Sequence, residues 1–106
     1  MVSNGMRPVH PGEILLEEFM KASEPPINAN TLAKGLEVPA NRITAIIKGQ
    51  RGITGDTAIR LGTFFKTTAE FWMNLQKTYE LRLAERALPE KTKKHIEEKR
   101  GLLLPA

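Results

Sequence analysis

Between Asn28 and Arg51 the chain reads N-A-N-T-L-A-K-G-L-E-V-P-A-N-R-I-T-A-I-I-K-G-Q-R, and this stretch restricts the fold more than any other. Asn28 carries a side chain that caps a helix by accepting a backbone N–H bond. Leu32, Ala33 and Leu36 then fall on one face at helical spacing. Ala33 is small where a following helix must cross closely. Glu37-Val38-Pro39 interrupts the pattern, because Pro39 disfavours helical geometry in Val38, while Val38 still has an apolar side chain to bury. From Ala40 the helical period resumes, with Ile43, Ile46 and Ile47 facing inward. The opposite face presents Asn41, Arg42, Thr44, Ala45 and Lys48, with no acid among them. Gly49 stands at the usual stop position after a helix.

Two short helices joined by a tight turn have the layout of a helix-turn-helix, whose second helix fits the major groove of DNA. An ordinary two-helix hairpin inside an all-α domain shares the periodicity. The order Leu-Ala, turn, Val-Pro, Ile, then Gly before a basic loop favours DNA binding over that hairpin. Glu37 stands where such turns usually place Gly, since the backbone there is left-handed. A non-Gly residue in that region costs roughly 1 kcal/mol.

At 106 residues the chain has room for one domain and one core. It contains no Cys, which excludes disulfides and thiolate chemistry. No apolar run approaches the roughly 20 residues of a membrane span. The start of the chain lacks the apolar core of a signal peptide, and Met6 is an alternative start to Met1. A cytoplasmic protein is expected. The net charge of +4 favours an anionic partner only mildly, and its distribution says more. The first helix is acidic (Glu13, Glu17, Glu18), whereas Arg42, Lys48, Arg51 and Arg60 surround the candidate reading helix.

Elsewhere the pattern is also helical. A first helix begins near Pro11-Gly12-Glu13, with Pro suited to a first turn and Glu13 to the positive helix end. Ile14, Leu15, Phe19 and Met20 supply its core side, and Leu16 is surplus to one stripe and available for an interface. Ile53 anchors a polar, Gly-containing loop. Thr54 caps a fourth helix with Ala58, Leu61, Phe64 and Phe65 inward and Ile59 at the edge. Thr68 opens a fifth, which runs through Trp72, Leu75, Tyr79 and Leu83 to about Ala87, where Pro89 follows. The expectation is an all-α, five-helix domain over residues 10–88, preceded by a flexible segment over 1–9. Residues 89–106 form a polar extension, helical or disordered, with an apolar end.

With these residues in place, the chain resembles the HigA-type (virulence-associated protein I) antitoxins, which are lambda-repressor-like helix-turn-helix proteins. Three stretches carry the likeness: His10-Pro11-Gly12-Glu13-Ile14-Leu15, the unit from Leu32-Ala33 to Thr54, and Asp56-Thr57-Ala58-Ile59-Arg60-Leu61 followed by Phe71-Trp72-Met73-Asn74-Leu75-Gln76. The resemblance implies an antitoxin that binds and neutralises a HigB-type toxin, a ribosome-dependent mRNA endonuclease. It also implies a dimer that binds operator DNA and represses its own operon.

Candidate base readers are Asn41, whose amide suits adenine, and Arg42, which suits guanine or a phosphate. Ala40 and Ala45 are short enough to meet thymine methyls, and Thr44 suits a base or a phosphate. Thr31, Lys48, Arg51 and Thr54 are phosphate candidates; for Arg42, Lys48 and Arg51 a solvated surface is the plain alternative. Because two-fold dimers space their reading helices about 34 Å apart, a dimer interface is expected, with Trp72, Tyr79 and Leu83 as candidates. For Trp72 core packing is the stronger alternative. The acidic first helix and the Lys-rich tail with Leu102 to Leu104 are the two surfaces considered for the toxin.

Two other readings stay open: a stand-alone transcriptional regulator without a toxin, and a protein-binding module whose helix-turn-helix is vestigial. An enzyme is not expected. His10 and His95 lie in a helix cap and a polar tail, and no spacing suggests a metal or catalytic site. No cofactor is implied. His10 reads as a helix-capping or surface residue.

Overall fold

A computed structural model describes residues 7–104. The alternative starts Met1 and Met6, most of the expected flexible N-terminal segment and the last two residues of the tail lie outside the described residues. Every regular element among the described residues is helical: α1 (Pro11–Ile14), a π-helical turn (Leu15–Met20), α2 (Ala29–Leu36), α3 (Ala40–Ile47), α4 (Gly55–Phe65), α5 (Ala69–Ala87) and α6 (Glu90–Leu103).

The His10-Pro11-Gly12-Glu13 sequence has a separate physical job at each position. His10 Nδ1 accepts the Gly12 N–H at 2.9 Å, and Glu13 Oε2 accepts the His10 N–H at 3.2 Å. The two bonds satisfy donors that a helix start leaves orphaned. Pro11 occupies the first turn. Gly12 lets α1 lie directly on α3, since a Cβ there would sit 1.9 Å from the Ile46 carbonyl oxygen. Both Nη atoms of Arg7 reach the Glu13 carboxylate at 2.8 Å.

The first helix continues from α1 into the π-helical turn, where the Lys21 N–H reaches the Leu16 carbonyl at 2.9 Å. The wider turn brings Leu15 and Met20, five residues apart in sequence, into the core together. Leu16, which the helical stripe leaves surplus, packs against the core edge. Ser23 Oγ then closes the segment by donating to the Phe19 carbonyl at 2.6 Å.

Asn28 Oδ1 caps α2 by accepting the Thr31 N–H at 2.8 Å. Glu37 ends α2 in the left-handed region, at φ 59° and ψ 46°, so the turn carries the strain anticipated for a non-Gly residue. Ile43 and Ile46 of α3 are fully buried, and Gly49 follows the helix with φ 75°. Leu15, Leu32, Ile43, Ile46, Leu61 and Trp72 form the centre of one core. Trp72 Nε1 donates to Thr67 Oγ1 at 2.8 Å, so its one polar atom is satisfied.

Two expectations are corrected. Ile59 and Phe64 are 61% and 41% exposed: Ile59 lies on the outer side of α4, and Phe64 flanks the stripe made by Ala58 and Leu61 with its ring over Gly35 of α2. In the polar extension, for which helix and disorder were both open, residues Glu90–Leu103 form a helix, α6, outside the five of the expected domain. Its residues contribute nothing to the core: none is buried, and Leu102, Leu103 and Leu104 are mostly exposed.

Candidate nucleic-acid interface

In α3 the apolar residues Ile43 and Ile46 are buried, and this fixes which side of the helix faces outward. Asn41, Thr44, Ala45 and Lys48 share that outward side at i, i+3, i+4 and i+7. Ala40 and Arg42 flank it. Asn41 and Lys48 are exposed, and Thr44 and Ala45 are half-exposed. Thr44 Oγ1 turns back to donate to the Ala40 carbonyl at 3.2 Å. That leaves its oxygen lone pairs and methyl outward.

Thr31 is exposed in the first turn of α2, beside the Asn28 cap. Thr54 is exposed at the N-cap of α4, where its Oγ1 faces the Thr57 N–H at 3.5 Å, a long and weak contact. Both positions lie at positive helix ends, which suit phosphate. Arg51 is exposed in the loop between α3 and α4.

That loop is held from behind. Ile53 is buried, and its N–H donates to Gln76 Oε1 at 2.8 Å. Gln76 Nε2 then donates to Glu80 Oε2 at 2.8 Å. Gln76 is 8% exposed and follows Trp72 by one helical turn. A polar residue in that apolar stripe is the one sequence signal of its role, to which the sequence pattern alone assigns no partner. His10 holds the other side of the loop. His10 is 7% exposed, its ring lies beside Gly49 at the start of the loop, and it meets Tyr79 edge-on at a centroid distance of 4.8 Å. Burial pushes the His10 imidazole below its usual range, against the opposing pull of the Glu13 carboxylate. His10 is therefore a buried capping residue rather than a surface one.

Arg42 is the largest departure from the sequence reading. Its own helix face lacks an acid, but Asp56 in the first turn of α4 supplies one. Arg42 Nη1 donates to Asp56 Oδ2 at 2.8 Å, and Arg60 Nε donates to the same oxygen at 2.9 Å. Arg60 and then Arg42 hold the Asp56 carboxyl below its ordinary range. Arg60 is not part of a free basic surface either. Its Nη1 donates to the carbonyls of Leu36, at 2.7 Å, and Glu37, at 3.3 Å, at the end of α2. These bonds satisfy helix-end acceptors and brace the left-handed Glu37.

The dimer-interface candidates divide. Trp72 is fully buried within its own chain, so the surface role is corrected to core packing. Tyr79 is half-buried against His10. Leu83 is 44% exposed. Among the described residues no group of three or more His, Cys, Asp or Glu side chains is placed to hold a metal ion. Among the described residues no helix is long and apolar enough to cross a membrane.

A comparison with protein-family models finds no match. Individual relatives are close. Virulence-associated protein I of Dichelobacter nodosus is 48% identical over 82 residues, spanning 77% of this chain and 74% of that protein. A solved HigA-family addiction module antidote protein from Coxiella burnetii has a TM-score of 0.73 and 52% identity, covering 88% of this chain and 95% of its own. The Pseudomonas aeruginosa antitoxin HigA, solved with higBA promoter, has a TM-score of 0.74 and 46% identity, covering 87% of this chain and 94% of its own.

Proposed function

The chain belongs to the HigA family of antitoxins, and from that premise we propose that it binds operator DNA through α3 and restrains a HigB-type toxin. The observation that carries the DNA half is the outward side of α3. Asn41, Thr44, Ala45 and Lys48 stand there without an acid, between the capped starts of α2 and α4. A helix of this make enters a major groove while neighbouring helix ends and loop cations hold the phosphates. The Pseudomonas aeruginosa relative was solved with promoter, which supports the same use of the fold here.

In this reading Asn41 pairs with a base edge, while Ala40 and Ala45 allow close approach to thymine methyls. Thr31, Lys48, Arg51 and Thr54 take phosphates, and Thr44 takes a base or a phosphate. Two copies bind together, each on one half-site, with Leu83 and the exposed end of α5 in their interface. The toxin half rests on family membership.

Two experiments test the halves separately. A duplex from the region upstream of the gene should bind with an affinity that falls steeply as salt rises. Co-expression with the product of the adjacent gene should give a co-purifying complex and rescue growth. Operator binding without any toxin in the adjacent frame would leave a stand-alone regulator.

A further inference from the structure

The groove-facing side of α3 has one arginine at its edge, and the fold does not leave it free. Arg42 is bonded to Asp56, and Asp56 is bonded from its other side by Arg60. Arg60 is itself fixed on the last carbonyls of α2. The carboxylate is thus anchored to the scaffold before it meets Arg42. The Arg42 side chain is only 24% exposed, and its Nε is buried without a hydrogen-bond partner. The arginine lies along the protein rather than reaching outward.

A free arginine at this position would contact phosphates of any sequence, and such contacts raise affinity for all DNA alike. Moving Arg42 from Asp56 to a phosphate exchanges one charge-assisted hydrogen bond for another. It also leaves Asp56 facing a polyanion with one fewer cation beside it. The exchange gains little.

We propose that Asp56 is a specificity-determining residue: it holds Arg42 against α4, keeps that charge from the phosphates and so lowers sequence-independent binding. Arg42 is then a positioning residue that ties α3 to α4, and base reading falls to Asn41. The proposal rests on the operator-binding reading above.

The test uses the full-length chain, a duplex from upstream of its gene and a scrambled duplex of equal length and composition. Asp56→Asn should raise affinity for the scrambled duplex more than for the upstream one, so that their ratio falls severalfold. The logarithmic salt slope on the scrambled duplex should steepen by about 0.9, the effect of one added phosphate contact. In an Arg42→Met background the same substitution should leave the ratio unchanged. An equal rise on both duplexes would overturn the proposal. So would a fall in the ratio that persists without Arg42, since Asp56 would then act by plain repulsion. A wild-type chain that shows no preference for the upstream duplex would overturn the operator reading itself, and this proposal with it.

Discussion

Asn41 stands in the first turn of α3 with its side chain exposed, the position and chemistry for bidentate pairing with adenine. Asn41→Ala should weaken operator binding by about 1–3 kcal/mol and relax preference at one base pair. Titrations against duplexes altered one position at a time measure this, and an equal loss on every duplex would remove Asn41 as a reader. The same scale explains why His10 matters to stability. Burial lowers the folded pKa of His10 from its ordinary value near 6.5. The unfolded chain therefore takes the proton first, and stability should fall as pH drops below about 6.5. Glu13 and Asp56 are shifted down from ordinary values of 4.5 and 3.8, so their losses come at lower pH. Denaturation midpoints between pH 8 and 5 should show the His10 slope, and His10→Gln should flatten it.

The helices and their ends were legible because their signals are local. Asn28, Thr54 and Thr68 cap by bonding three residues ahead, and the spacing of Ile43 and Ile46 belongs to a single helix. The strained turn was legible for the same reason. Glu37→Gly should relieve it and stabilise the fold by about 1 kcal/mol or less, read as a shift in denaturant midpoint. The ties between elements were not legible. Arg42 finds Asp56 14 residues on, Ile53 finds Gln76 23 residues on, and Arg60 finds Leu36 24 residues back. No periodicity within one helix encodes such pairs, so a basic surface was expected where half its charge is already engaged. Gln76→Leu should leave the buried Ile53 N–H without a partner and cost about 1–3 kcal/mol. Weaker DNA binding through a loosened loop from Gln50 to Thr54 should accompany that loss.

At the scale of the molecule the described chain is elongated, 58 × 26 × 22 Å. The core lies among α1 to α5, and none of its residues comes from α6. Residues 10–88 are therefore proposed as the folding unit, and removing the chain after Leu88 should change stability by no more than about 0.5 kcal/mol. A dimer would set two copies of α3 on successive turns of DNA. Leu83→Glu should then favour monomers in sedimentation and weaken operator binding, while the circular dichroism spectrum keeps its helical content. The central claim is that α3 binds operator DNA, and a salt titration of the full-length chain on its upstream duplex tests it most directly. Preferential binding over a scrambled duplex, with log affinity falling linearly against log salt, is the predicted result. Absence of binding at low salt, or equal affinity for both duplexes, would contradict it.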